Sequence, residues 1–315
     1  MANDAGGPVR ESDAHGLKIP TAAESVRGIL LILAAYAVVT SADVAVKWAL
    51  PEVGVAVSML ARGVVGAIAI LIMTRGHGLG PVNRRLLALR GTMHCVVSAT
   101  WYWAWLSGMA LVNSYAIAAV APLMMTMLAI PILGERVGWR RWTSTAVGFA
   151  GVLIMLQPSG DLWVLQTPFL LAAVILMAVT RIWTRLLSVT DGPAAVAFWL
   201  MMAHIPMGLL FLPMFPPPGG IPGTAIILAL IFFGIANAVA HMLFARAFAL
   251  APVSALAPYE YSPLLIGGVA GFLIWSELPA WTTVAGALVV IAAGLYNLHR
   301  ERVRRAQERR ETGTG

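Results

Sequence analysis

The sequence predicts an all-α membrane protein: about ten transmembrane helices, arranged as two inverted five-helix repeats, with both termini on the inner side. Three observations lead there. First, 59% of the 315 residues are hydrophobic and 11% are charged, against about 45–50% and about 25% in an ordinary soluble domain. The mean hydropathy of +0.82 agrees and excludes a soluble enzyme. Second, the basic residues are sided, as the loops of multi-spanning proteins are. Third, a motif recurs in the two halves of the chain. The single cysteine, Cys95, excludes an intrachain disulfide and most cysteine-based metal sites.

Residues 1–27 are polar and lack the short apolar core of a signal peptide, so they are expected to form a retained, disordered cytoplasmic tail. Apolar runs of the roughly 20 residues needed to span a bilayer then follow. They lie at approximately 28–50, 53–74, 90–110, 112–133, 140–157, 165–187, 193–213, 224–249, 252–275 and 279–299. The first repeat is therefore placed at 28–157 and the second at 165–299, with a basic cytoplasmic tail at 300–315. Connections such as Leu50-Pro51-Glu52 are so short that neighbouring helices must run antiparallel, and Pro216-Pro217-Pro218-Gly219-Gly220 reads as a loop.

With the N-terminus inside, every lysine and arginine except Lys47 and Arg62 falls on the inner side. The count includes Arg90 before the third helix and Arg181 and Arg185 at the end of the sixth. The opposite loops carry none, which predicts N-in and C-in.

The fourth and fifth helices contain Ala121-Pro122-Leu123, Leu133-Gly134-Glu135, Trp142-Thr143, Gly148 and Gly151. The ninth and tenth contain Ser262-Pro263-Leu264, Trp275-Ser276-Glu277, Trp281-Thr282, Gly286 and Gly294. An odd number of helices per half inverts the second half, and inverted repeats are the architecture of secondary transporters.

The run Leu133-Gly134-Glu135-Arg136-Val137-Gly138-Trp139-Arg140-Arg141-Trp142 resembles the first-half signature of the EamA-type drug/metabolite transporters. The segments Ala245-Arg246-Ala247, Ala251-Pro252-Val253-Ser254, Ala257-Pro258-Tyr259-Glu260-Tyr261-Ser262 and Trp275-Ser276-Glu277-Leu278-Pro279 resemble the second half. The resemblance covers roughly residues 28–299 and implies ten helices, a central cavity and alternating access. Within the family the chain is similar to the branch of bacterial riboflavin importers and related uptake systems. It departs at Trp101-Tyr102-Trp103-Ala104-Trp105, where many members have Phe-Tyr-Ala, so a differently shaped cavity is expected.

Ionisable groups inside a membrane are costly and mark candidate sites. Tyr36, Thr40, Asp43 and Lys47 share one face of the first helix, where Asp43 and Lys47 could pair or Asp43 could bind solute. Arg62 lies at a depth matching that of Asp43, so it could pair with it or present its fork to a carboxylate or imide. A basic residue at this place also recurs in the family.

Glu260 sits between Pro258 and Pro263, which predict a kinked or partly unwound helix. It is a candidate proton carrier, or a partner for a basic neighbour such as Arg62. Tyr259 belongs to the same motif.

His94, Ser98, Trp101 and Trp105 form a second stripe, and Asn237, His241, Phe244 and Phe248 a third; His94 and His241 are placed at an inner vestibule. His204 is a weaker candidate. At most two of Trp101, Tyr102, Trp103 and Trp105 are expected to line a cavity, because consecutive residues diverge. Asn113, Ser114 and Tyr115 are placed at the outer mouth. Glu135 and Glu277 are expected to cap the helices that follow them, and Gly148, Gly151, Gly286 and Gly294 to serve as scaffold or dimer contacts.

These features point to a secondary transporter of a small polar or zwitterionic organic metabolite, flavin-like or amino-acid-like, in the inner (plasma) membrane. An exporter of drugs or amines and an intramembrane lipid-modifying enzyme are the alternatives. The enzyme is disfavoured because neither an Asp-rich motif nor His-Glu-x-x-His occurs. No nucleotide-binding loop is present, so ATP is not the direct energy source. The expected partners are the solute, protons as coupling ion, the bilayer and a second copy of the chain. Nucleic acid, metals and cofactors are not expected.

Overall fold

The computed structural model describes residues 21–135, 138–156, 164–278 and 280–293, with Tyr296 and Val303. The expected tails at 1–20 and 300–315, and the positions Arg136, Pro279 and Gly294, lie outside the described residues, apart from Val303. Among the described residues all regular structure is helical.

The chain opens with α1 (Ala22–Thr74). It starts earlier than the polar composition of residues 22–27 suggests, because Thr21 and Glu24 form a reciprocal capping box. The helix is two passes in one. Pro51 lacks the N–H needed by the preceding turn, and Gly54 adopts φ 73°, ψ 176°, a conformation that favours glycine. The break falls between the first two expected spans.

Then come α2 (Arg84–Leu106), α3 (Leu111–Ala118) and α4 (Ala121–Leu133). The expected helix at 112–133 is divided by a turn at Ala119 and Val120. They are followed by α5 (Trp139–Leu156), α6 (Gln166–Leu187), α7 (Pro193–Phe211) and α8 (Thr224–Leu250). The expected ninth span is in three pieces: α9 (Val253–Leu256), a 3-10 turn (Ala257–Tyr261) and α10 (Ser262–Trp275). Pro258 and Pro263 remove backbone donors within this stretch, so a continuous helix is disfavoured. The last described helix is α11 (Trp281–Ala293).

Among the described residues, five stretches are long and apolar enough to cross a membrane: Ala23–Thr74, Leu111–Leu133, Gln166–Leu187, Pro193–Phe211 and Thr224–Leu250. The distribution of side chains is that of a protein facing lipid. Ile72, Leu228 and Leu273 are exposed on the outside, whereas Arg62, Arg90, Arg181, Arg185 and Glu260 are buried inside.

Helix α1 packs along α7 and α8, α2 against α6 and α7, and α10 against α1 and α3. Helices α5 and α11 meet through glycines: a Cβ on Gly151 would stand 2.8 Å from the Gly286 carbonyl oxygen. Both glycines are thus scaffold within one chain.

Candidate functional site

A cavity of about 100 Å³ lies among α1, α2, α3, α6, α8, the 3-10 turn and the start of α10. That is smaller than the roughly 300–1,000 Å³ typical of small-molecule pockets, so this is a closed, tightly walled state of the cavity. Of the candidates singled out above, Tyr36, Asp43, Arg62, His94, Trp101, Trp105, His241 and Glu260 line it.

Arg62 projects from the second half of α1 into this space and is 5% exposed. One guanidinium nitrogen donates to Ser98 Oγ at 3.0 Å and to the Tyr102 hydroxyl at 2.9 Å. The other meets His94 Nε2 at 3.3 Å and His241 Nε2 at 2.7 Å. Because a guanidinium only donates, both imidazoles must accept through Nε2 and carry their proton on Nδ1. Those Nδ1 atoms and Arg62 Nε have no hydrogen-bond partner among the described residues. His94 and His241 therefore belong to the Arg62 cluster in the cavity, not to a separate inner vestibule. His204 joins behind them, 3.1 Å from Ser98 Oγ.

None of the three pairings considered for Asp43 and Glu260 forms in the structure. Asp43 does not pair with Lys47 or Arg62; it accepts from the Tyr115 hydroxyl at 2.7 Å. Lys47 lies outside the cavity lining, ion-paired with Glu277 and 4.6 Å from the centre of the Trp275 ring. Glu260 faces Arg181 at 3.3 Å instead of Arg62. Each sequence-based pairing was chosen by proximity along the chain or by matched depth, and neither quantity specifies which helices pack together.

Arg181 is the main residue that the sequence reading passed over. It lines the cavity, with its guanidinium carbon 4.0 Å from the Phe244 ring centre and 5.8 Å from that of Tyr36. Counting it as a basic helix end concealed that it lies more than a turn inside α6. Arg90 and Arg185 are likewise buried and not loop charges. Arg90 donates to Thr184 Oγ1 at 2.7 Å and the Val196 carbonyl at 3.2 Å. Arg185 donates to the carbonyls of Phe248 and Ala249 at 2.7 and 2.9 Å.

The aromatic wall is wider than expected. Trp101, Tyr102 and Trp105 all line the cavity, whereas Trp103 packs edge-on against Phe169. Trp101 lies 5.7 Å from Trp105 and 6.1 Å from Tyr115, ring centre to ring centre. Trp105 Nε1 donates to Ser114 Oγ at 2.9 Å, which sets the indole's orientation. Tyr115 is thus a wall residue rather than an outer-mouth one. Asn237 donates to the Phe233 carbonyl at 2.9 Å, and neither it nor Tyr259 is among the lining residues.

The two glutamates after α4 and α10 bond to the starts of helices in the other half of the chain. Glu135 accepts from the N–H groups of Val253 and Ser254, at 3.0 and 3.2 Å, at the start of α9. Glu277 accepts from the N–H of Leu111 at 3.0 Å, at the start of α3. Each thus crosses between the two halves of the chain. Among the described residues, no group of three or more histidine, cysteine or acidic side chains is placed to hold a metal.

No family model matches the chain. The riboflavin transporter of Rhizobium johnstonii is 31% identical over 213 residues, covering 65% of this chain and 68% of its own length. The S-adenosylmethionine uptake transporter of Rickettsia prowazekii is 29% identical over 186 residues, covering 58% of this chain. The chain spans 60% of that relative's length. A solved crystal structure with 14% sequence identity superposes with a TM-score of 0.67 over 85% of this chain and 96% of its own, a likeness of fold alone.

Proposed function

The chain belongs to the EamA-type drug/metabolite transporters, in the company of proteins named for riboflavin and S-adenosylmethionine uptake, and on that premise we propose that it carries a small polar or zwitterionic organic metabolite, flavin-like or amino-acid-like, across the inner membrane. The observation that carries this reading is the composition of one buried cavity: Arg62, Asp43 and Glu260 converge there with an indole wall. Charged groups are too costly inside a bilayer to be placed there without a use, and the aromatic faces suit a planar or cationic solute.

Alternating access by two five-helix halves of inverted topology is the mechanism we assign, with both termini cytoplasmic. Its support is the reciprocity of Glu135 and Glu277, each capping the helix that matches its own in the other half. In this orientation Glu135 lies at the inner end of the bundle and Glu277 at the outer end, next to Lys47. Rocking of one half against the other would break one contact and keep its counterpart. Glu260, in the unwound stretch beside Arg181, is the carboxyl best placed to carry a coupling proton.

The test is uptake by the purified chain in liposomes, using radiolabelled riboflavin and S-adenosylmethionine, with and without an imposed proton gradient. Saturable accumulation above that of protein-free liposomes is expected for at least one class. Chemical conversion of the solute without transfer would overturn the reading.

A further inference from the structure

We infer that Arg62, His94 and His241 form an oxyanion subsite, and that the solute binds there through a carboxylate. The inference rests on the transporter reading and narrows its substrate class. It starts from an imbalance of charge. Arg62 is buried, yet no described carboxylate lies within ion-pair distance of it; the described pairs join Lys47 to Glu277 and Arg181 to Glu260. Asp43 shares the cavity but stands beyond ion-pair distance of Arg62 and accepts from the Tyr115 hydroxyl.

What surrounds the guanidinium is neutral: a serine, a tyrosine and two imidazoles. These groups hold its plane in position but do not cancel its charge. A buried cation with no carboxylate in contact is unfavourable, so the environment favours an anion arriving with the solute.

The hydrogen-bonding capacity left over has the same sign. Arg62 Nε is a donor without a partner. His94 and His241, held as Nε2 acceptors, each carry an unpartnered Nδ1–H. All three are donors in residues of the cavity wall, so an acceptor oxygen is favoured over a donor, and Arg62 adds the charge that a carboxylate balances. A carboxamide presents one acceptor oxygen and no charge, so it would leave the arginine unneutralised. Discrimination between acid and amide is therefore the signature of this subsite.

The experiment is a thermal-shift titration of the full chain in detergent with organic acids, each paired with its own carboxamide: tryptophan, methionine, indole-3-propionate and 4-aminobenzoate. At least one acid is expected to stabilise the protein, with its amide at least tenfold weaker. Arg62→Gln should abolish that preference, with the ligand-free melting temperature of the variant recorded as its own baseline because Ser98, Tyr102, His94 and His241 lose a partner. Should Arg62→Gln fail to fold, Arg62→Lys keeps the charge without the fork and should retain a reduced preference. His94→Gln and His241→Gln should each weaken the acid several-fold and leave the amide unaffected.

Equal stabilisation by acids and amides, persistence of the preference in Arg62→Gln, or no response to any acid would overturn the subsite. Uptake of the same pairs into liposomes separates the two claims. Acids that bind through Arg62 but never cross would sink the transporter reading alone. A solute carried with no preference for the acid would sink the subsite alone.

Discussion

The carboxylate of Glu277, just past the end of α10, accepts the backbone N–H of Leu111 at the start of α3, 3.0 Å away. Lys47 pairs with the same carboxylate, so one side chain ties α1, α3 and α10 together. At the far end of the chain's two halves, Glu135 does the same for α9.

If these contacts alternate during transport, weakening one should shift the balance of accessibility. In a Cys95→Ala background, a reporter at Ala118→Cys lies in the cavity wall. Glu277→Gln is expected to increase its labelling by a membrane-impermeant thiol reagent added outside, and Glu135→Gln to decrease it. Carboxylate caps of this kind contribute on the order of 0.5–2 kcal/mol, enough to change populations severalfold. Equal labelling in both variants would remove these residues from the conformational switch.

Arg181 and Glu260 should behave as a coupled pair. Arg181→Gln leaves Glu260 buried without its counter-ion, a change that costs roughly 3–5 kcal/mol. The double variant Arg181→Gln/Glu260→Gln is expected to be more stable than Arg181→Gln alone, because no lone charge remains. Melting temperatures of the four proteins of the cycle measure this coupling. Additive effects would show that the pair is not coupled.

Glu260→Gln bears on function as well. As the proposed proton carrier, its replacement is expected to make uptake independent of pH in the protein that still folds, with a lowered melting temperature because Arg181 loses its counter-ion. Uptake measured across a pH series decides the matter: a pH dependence that survives would place coupling elsewhere.

Trp101 and Trp105 should separate by role. Trp101→Ala removes a face of the cavity and is expected to raise KM about tenfold, consistent with ring contacts of roughly 0.5–1.5 kcal/mol beyond simple burial. Trp105→Phe keeps a ring but loses the bond to Ser114, so its expected effect is about 1 kcal/mol of stability. Concentration-dependent uptake and thermal melting, run on both variants, distinguish the two.

At Gly151 the expected change is structural. A methyl group there would push against the Gly286 carbonyl oxygen and Val290. Gly151→Ala should cost about 1–3 kcal/mol, seen as a lower melting temperature and a smaller monodisperse fraction in detergent. A variant as stable as wild type would mean that α5 and α11 separate freely.

The sequence by itself determined where the apolar helices run and where they break. Those properties are local: a run of apolar residues is long enough to cross a bilayer or it is not, and Pro51 with Gly54, or Pro258 with Pro263, interrupts a helix wherever the helix sits. It also selected most of the cavity wall, because a charged or aromatic stripe on an apolar helix has to face inward. The division at Ala119 and Val120 was not legible, since no proline or glycine marks it.

Partners were decided by the tertiary structure alone. Lys47 reaches Glu277 and not Asp43, Asp43 takes Tyr115, and Glu260 takes Arg181 and not Arg62. A charge in a low-dielectric interior pairs with whichever complementary group the packing of distant helices brings within a few ångströms, and that distance is written in no single segment of the chain.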